Sequence, residues 1–449
     1  MGRRLETAGR SVVTLSPQRK SVPALHVFAI VIGNGLEFYD FLSYAIFAVY
    51  IGKTFFPSHD ASANLIFSLA TFAVGFVTRP IGGIVLGILG DRLGRKPAMV
   101  VSFILIGVAM LGIALTPGYA QIGLAAPILL VCFRLVQGFA LGGEVGPNTA
   151  WLIEAAPMER RGFYGSMQYA TQNAALLLAS CVGLLLSTVL NAHDLETWGW
   201  RIAFLLGVAI VPFGLLIRRK LPETLHAAEE AAPAYKTQTA GAGIRAYAKV
   251  IVLSFILLGC VTIGAYVVAY MTTFALNTLH LAAGIAFGVN VVTSLTGLLA
   301  DCAGGVLGDR CGRKPVMMVC ASLLLLSIMP VFWTITHINS TLLLYVLMGG
   351  LSVIFELCSV QVIVAFTESV PERIRSGTVA IVYAFAISIF GGSTQFLITW
   401  LIRVTGSPLA PGWFWTAAAF VFVIAALRLS ESAPVKLRTR LLDAEPAPA

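Results

Sequence analysis

Seven ionisable side chains stand inside long apolar runs of this sequence: Glu37, Asp40, Arg79, Arg134, Glu144, Asp301 and Glu356. A charge in hydrocarbon costs roughly 2.5 to 3.5 kcal/mol on insertion scales. Together these would cost about 20 kcal/mol, more than the roughly 5 to 15 kcal/mol that keeps a typical domain folded. They must therefore pair with one another, carry protons or line a wet cavity. The chemistry open to such a set is proton exchange and anion recognition. A carboxyl group beside an arginine takes up or gives up its proton as that partner leaves or returns, so Glu37 or Asp40 near Arg134 forms a proton-coupling device. Arg79 offers a carboxylate the two-pronged fork of a guanidinium; the alternative is an arginine snorkelling towards the nearest polar end.

Spacing places these groups on shared helix faces. Gly33, Glu37, Asp40 and Tyr44 advance by 4, 3 and 4 residues, one stripe of a helix. Arg134, Gln137, Leu141, Glu144 and Asn148 repeat the pattern, and Gly165, Gln168 and Gln172 follow it with Tyr169 and Asn173 alongside. Later stripes are more neutral: Asn290, Thr293, Gly297, Asp301, Gly304 and Gly308, then Ser388, Gly392, Gln395, Thr399 and Arg403. Proton coupling is expected from Glu37, Asp40, Arg134, Glu144 and Glu356, of which Arg134, Glu144 and Glu356 have helix bracing as an alternative. Substrate contacts are expected from Asn34, Arg79, Gln168, Gln172, Asn173, Asn290 and Arg403, with an interfacial anchor as the other reading of Arg403.

The elements that position these residues follow from composition. Hydrophobic residues make up 58% of the 449, charged residues 11%, and the mean hydropathy is +0.87; a soluble surface needs about a quarter charged positions. The solvent is lipid. A span needs roughly 20 apolar residues, and the apolar runs accommodate about twelve, at 25–51, 62–90, 98–116, 122–154, 162–190, 200–218, 249–277, 282–308, 315–335, 341–368, 375–402 and 412–428. Each must be helical, because lipid offers backbone groups no partner. The fold class expected is an all-α membrane protein of two pseudo-symmetric six-helix bundles, with a bundle at 1–218, a polar linker at 219–248, a second bundle at 249–430 and a tail at 431–449.

The formal net charge of +9 is segregated rather than spread. Lys and Arg gather near the start of the chain, in alternate loops and in the tail, which by the positive-inside rule makes both termini cytoplasmic and excludes a nucleic-acid partner as the reason for the charge. The polar, basic first residues lead into a run too long for a signal peptide, with no small-residue cleavage site, so this segment is expected to be retained. Seven cysteines show no C-x-x-C or Cys/His spacing, so neither a metal site nor a disulfide framework is expected.

One loop occurs twice. Gly87-Ile-Leu-Gly-Asp-Arg-Leu-Gly-Arg-Lys-Pro97 aligns without gaps to Gly305-Val-Leu-Gly-Asp-Arg-Cys-Gly-Arg-Lys-Pro315, and Glu154-x-x-Pro157-x-x-x-Arg161 recurs as Glu368-x-x-Pro371-x-x-x-Arg375. A duplicated bundle with a site between its repeats is the architecture of alternating access. Gly83/Gly87, Gly138/Gly142/Gly146 and Gly304/Gly308 have the small-x-x-x-small spacing of close helix packing.

The duplicated G-x-x-x-D-R-x-G-R-K loop resembles the signature of the major facilitator superfamily. Further strings narrow the likeness: Gly33-Asn-Gly-Leu-Glu-Phe-Tyr-Asp-Phe41, Gly75-Phe-Val-Thr-Arg-Pro-Ile-Gly-Gly83, Arg134-Leu-Val-Gln-Gly138 with Gly142-Gly-Glu144, Arg161-Gly-Phe-Tyr-Gly-Ser166 and Trp198-Gly-Trp-Arg201. Together these resemble the metabolite:proton symporter family, whose members carry citrate, tricarballylate, 2-oxoglutarate, shikimate, phthalates, or proline and betaine. The osmosensing members end in a long coiled coil, whereas 430–449 here is short with three prolines and no heptad, which lowers that reading. The resemblance implies that the duplicated loops latch the inner gate through Asp91, Arg92, Arg95, Arg161, Asp309, Arg310, Arg313 and Arg375, with crossed pairs Asp91–Arg375 and Asp309–Arg161 expected.

No G-x-S-x-G, H-E-x-x-H or Cys/His cluster supports an enzyme, and no phosphate-binding G-x-x-x-x-G-K-[ST] loop supports an ATP-driven pump. What remains is a monomeric secondary transporter in the cell inner membrane, without a cofactor. It takes a small organic acid such as a di- or tricarboxylate with H+, or with Na+ in its place or beside it. A zwitterion symporter for proline or betaine, or an exporter of the same fold, is the alternative.

Overall fold

The computed structural model of the chain describes residues 24–58, 60–93, 95–142, 145–219, 240–434 and 436. Among them every regular element is a helix. The main ones are α1 (Ala24–Ile46), α2 (Ala48–Phe55), α3 (Ala61–Val77), α4 (Arg79–Leu93), α5 (Arg95–Leu115), α6 (Ala125–Leu141), α7 (Val145–Ala155), α8 (Arg161–Val189) and α9 (Trp200–Arg219). The second half continues with α10 (Ala240–Asn277), α11 (Ala283–Cys311), α12 (Arg313–His337), α13 (Thr341–Ser369), α14 (Glu372–Ala386), α15 (Gly392–Thr405) and α16 (Ala410–Arg428).

These helices fall at the twelve expected positions, but several spans are broken. The first becomes α1 and α2 around Phe47, and the second becomes α3 and α4 around Thr78. Pro80 sits in the first turn of α4, where a missing N–H is tolerated, and the Thr78 hydroxyl donates instead to the Leu135 carbonyl of α6 at 2.7 Å. The eleventh contains a π-helical turn, Ile387–Gly391, between α14 and α15. Among the described residues eight helices are long and apolar enough to cross a membrane. One boundary differs from expectation: α10 begins at Ala240 rather than 249, so the end of the expected linker is helical, while 220–239 lie outside the described residues.

The distribution of polarity is inverted relative to a soluble protein. Leu124, Val189, Leu326 and Leu342 are each at least 70% exposed, whereas Arg134, Asp40 and Asp301 are 0% exposed. Trp198, Trp333, Trp400 and Trp413 are all partly exposed and belong to the end of the bundle opposite the duplicated loops, as an interfacial aromatic belt would.

Glycines let α3 and α4 lie directly on α6. A Cβ on Gly138 would overlap the Gly75 carbonyl, one on Gly82 the Phe139 carbonyl, and one on Gly142 the Arg79 carbonyl. This backbone contact holds Arg79 and Arg134 in one layer. Gly138→Ala is expected to force the helices apart at about 1 to 3 kcal/mol, read as a lowered melting temperature of the purified protein in detergent. At the head of α12, Gly312 has φ +99°, a conformation that side chains disfavour; it turns the chain from α11 into α12 within the duplicated loop.

Candidate functional site

Three constellations lie along the bundle axis. The first is a polar relay in the first half. Arg134 of α6 donates from a terminal nitrogen to Gln137 Oε1 at 2.5 Å, and Gln137 Nε2 donates in turn to Asp40 Oδ1 of α1. All three side chains are fully buried. The second carboxylate oxygen, Asp40 Oδ2, is buried with no hydrogen-bond partner among the described residues. The relay exists because Arg134 and Gln137 lie one turn apart on the stripe read from the sequence.

Aromatic rings wrap the arginines. The Arg79 guanidinium carbon lies 4.2 Å from the Phe41 ring centroid and 4.5 Å from that of Phe76. The Arg134 guanidinium carbon lies 4.7 Å from the Phe41 ring centroid, 4.4 Å from that of Tyr44 and 5.0 Å from that of Phe72. One ring thus faces two cations. Cation–π contacts in such a dry setting stabilise by about 2 kcal/mol each, which lets a guanidinium persist without a carboxylate against it. Tyr266 of α10 packs edge-on to Phe72 and Phe76 at 5.9 and 5.6 Å, joining this box to the second half.

The second constellation is a cavity between the halves of about 70 Å³, small beside the roughly 300 to 1,000 Å³ of an open small-molecule site. Phe38, Tyr169, Gln172 and Asn173 come from the first half, and Tyr266, Phe355, Glu356 and Tyr383 from the second. Gln172 donates to the Tyr383 hydroxyl at 3.2 Å across the cavity. Asn173 Nδ2 donates to Asp301 Oδ2 at 2.8 Å and to Glu356 Oε1 at 3.0 Å.

The expected substrate residues therefore divide. Gln172 lines the cavity, whereas Arg79 does not line it and stacks on Phe76, which packs against the cavity residue Tyr266. Asn173 gives its amide hydrogens to carboxylates. Asn34 and Gln168 bond reciprocally, Gln168 Nε2 donating to Asn34 Oδ1 at 3.0 Å and Asn34 Nδ2 donating to the Gln168 carbonyl at 3.3 Å and to the Thr171 hydroxyl at 2.6 Å, so they brace α1 against α8. Asn290 donates to the Ala269 carbonyl at 3.0 Å and ties α11 to α10. Arg403 forms a half-exposed pair with Asp60 at 2.7 Å, at the end opposite the duplicated loops; such pairs contribute about 0 to 1 kcal/mol. The side chains of Glu37 and Glu144 lie outside the described residues.

The third constellation closes the end carrying the duplicated loops. Asp309 accepts from the backbone N–H groups of Gly162 and Phe163, at 2.8 and 3.0 Å, so a carboxylate of the second half caps the first turn of α8 in the first, where the helix dipole favours negative charge. Arg313 pairs with Asp309 at 2.8 Å and with Glu368 at 3.1 Å. Close approach here needs glycine on both sides, since a Cβ on Gly162 would lie 2.5 Å from the Gly305 carbonyl and one on Gly305 2.7 Å from that of Gly162. Downstream of α16, Glu431 accepts from the backbone N–H groups of Arg313 and Lys314 at 3.0 and 3.1 Å, and Ser432 donates to Glu368 at 3.0 Å.

One of the two expected crossed pairs can be read among the described residues. Arg375 bonds Glu154 of the other half at 3.2 Å, so the Glu and Arg of the two repeated motifs face each other, while the expected Asp91–Arg375 pair falls on a side chain outside the described residues. Asp309 takes the helix end beside Arg161 rather than its guanidinium, whose Nε has no partner among the described residues. Arg310 is exposed, and the side chains of Asp91, Arg92 and Arg95 lie outside the described residues. Asp309→Asn is expected to weaken this closure by about 1 to 3 kcal/mol. The check is labelling of Ala265→Cys, in the cavity wall, by an impermeant thiol reagent added from the duplicated-loop side; unchanged labelling would remove Asp309 from the gate.

At the opposite end, Phe47 and Tyr50 pack on Phe287 of the second half with ring centroids 5.4 and 6.3 Å apart. The cavity thus lies between two sets of contacts joining the halves.

Comparison with known proteins bears on this arrangement. The family described as Sugar (and other) transporter matches residues 26–237. The chain is 34% identical over 408 residues to a citrate-proton symporter of Klebsiella pneumoniae, covering 91% of this chain and 92% of the relative. It is 32% identical over 402 residues to the alpha-ketoglutarate permease of Escherichia coli (strain K12), covering 88% and 91%. It is also 33% identical over 424 residues to a putative proline/betaine transporter of Staphylococcus haemolyticus, covering 90% and 87%. Among solved structures, the partially occluded inward-open form of the xylose transporter XylE from E. coli superposes with a TM-score of 0.72 at 18% identity, covering 91% of this chain and 98% of that one; this similarity concerns the fold.

Proposed function

The chain belongs to the metabolite:proton symporter branch of the major facilitator superfamily, and from this premise we propose that it carries a small organic acid, such as a di- or tricarboxylate, together with a proton. The observation that supports this best is the relay Arg134–Gln137–Asp40, with its unpartnered Asp40 Oδ2, set beside Arg79, which shares the Phe41 ring with Arg134. The orphan oxygen is where a proton sits. The Arg79 guanidinium, held on its faces by rings and free of a tight carboxylate partner among the described residues, is where an anion's carboxylate binds.

Protonating Asp40 weakens its pull on Arg134, so one proton shifts the balance between the relay and the neighbouring Arg79, where substrate binds. H+ rather than Na+ is the driving ion in this reading, and the duplicated loops face the cytoplasm of an inner membrane. Each chain contains a complete cavity, which supports function as a monomer. The test is uptake into membrane vesicles of labelled mono-, di- and tricarboxylates, proline and betaine, with and without a pH gradient. Asp40→Asn is expected to lose pH-driven accumulation and keep exchange across equal pH; equal loss of both would remove Asp40 from coupling.

A second reading has an observation of its own. The rings of Phe38, Tyr169, Tyr266, Phe355 and Tyr383 surround the cavity while Glu356 supplies a carboxyl group, an environment that also suits the quaternary ammonium of a zwitterion such as betaine. Competition of labelled citrate uptake by unlabelled betaine separates the two substrates.

A further inference from the structure

Asp301 of α11 and Glu356 of α13 are 0% and 6% exposed, and an oxygen of each converges on one atom, Asn173 Nδ2, at 2.8 and 3.0 Å. Two ionised carboxylates repel, by about 3 kcal/mol at 5 Å with an effective dielectric constant of 20. A hydrogen on one of the two acids removes that repulsion. No lysine, arginine or histidine among the described residues pairs with either group.

The surroundings also point to a bound proton. Asn173 of α8 reaches from the first half to donate to one oxygen of each acid, satisfying a single negative charge spread over the pair. Asp301 Oδ1 has no hydrogen-bond partner among the described residues. Tyr169 is 8% exposed, stands beside both acids and lines the same cavity, and no described residue bonds its hydroxyl. The other titratable groups facing the pair are Cys302 on α11, Cys358 on α13 and, across the cavity, Tyr383 on α14. None is a cation.

We propose that Asp301 and Glu356 form a second proton site, separate from the Asp40 relay, in which the two carboxyl groups share one proton while Asn173 of the opposite half closes over them. Loading transfers a proton from hydronium in the cavity to one carboxyl oxygen: an O–H bond to water breaks, an O–H bond to the acid forms, and the charge of the pair falls from −2 to −1. Separation of the halves withdraws Asn173 and admits water, and the proton leaves by the reverse step. The site deepens the proton-coupling reading above, on which its physiological role rests.

The test is infrared spectroscopy of the full chain reconstituted in lipid with no substrate present, which keeps it independent of what is transported. In Asp40→Asn, which removes the acid of the relay, a protonated-carboxyl C=O band is expected at neutral pH. Carboxyl-13C aspartate and carboxyl-13C glutamate, introduced separately into that variant, should each shift the band, and adding Asp301→Asn or Glu356→Gln should remove it. Absence of the band, a shift with one label only, or its persistence in either variant would overturn the shared proton. Loss of the band on adding Na+ at constant pH would overturn it too, in favour of a metal cation. Failure of Asp40→Asn to alter transport, with this band intact, would count against the coupling reading alone.

Discussion

Arg134→Ala is expected to abolish transport and to destabilise the protein by about 3 to 5 kcal/mol, the range found when one partner of a buried charge pair is removed. Arg134 is 0% exposed and reaches Asp40 through Gln137. Without it Asp40 would keep one amide donor and, of its two neighbouring cations, only Arg79. The arginine also fills the space between Phe41, Tyr44 and Phe72, so the truncation leaves a void as well. The check is a cycle of melting curves for Arg134→Ala, Asp40→Asn and the double variant. Removing the orphaned charge should recover part of the loss, giving an interaction energy of at least about 0.5 kcal/mol; additive losses would show that Asp40 is not what Arg134 compensates.

Arg79→Ala is expected to raise KM for the transported acid about 10- to 100-fold, in keeping with about 1.5 to 3 kcal/mol for a hydrogen bond to a charged group. Arg79→Lys keeps the charge but lacks the planar fork and stacks less well on Phe41 and Phe76, so it should lie between wild type and alanine. Initial-rate uptake against substrate concentration separates KM from the maximal rate. A fall in maximal rate at unchanged KM would assign Arg79 to the conformational step instead of binding.

Much of this arrangement was legible in the residues. Arg134 and Gln137 could be placed together because a helix puts residues three apart on one face, and the glycine spacing of Gly138 and Gly142 announced the close crossing with α3 and α4. Spacing within a helix says nothing about which other helix stands opposite. Asp301 was visible as an acid in an apolar run, but its partnership with Glu356 and Asn173 joins three helices far apart in sequence. The gate shows the same limit. Glu154, Arg161, Glu368 and Arg375 were recognisable as a repeated motif, yet which Arg meets which Glu depends on how two halves dock. Asp309 bonds backbone amides, and every residue has those, so no side-chain pattern could have named its partner. The breaks at Phe47 and Thr78 were hidden for another reason: hydropathy measures apolar length and is insensitive to a helix bending within it.

The anchoring of Glu431 and Ser432 bears on how the protein is handled. These two residues hold the head of α12 and Glu368, and Ala433, bonded through its N–H to Glu431, is 1% exposed. An affinity tag or fluorescent reporter fused directly after Ser430 would discard this clasp and yield material with a loosened gate, whereas the same fusion placed beyond residue 436 would leave it intact. Truncations for crystallography or cell-surface display should stop on the far side of that clasp.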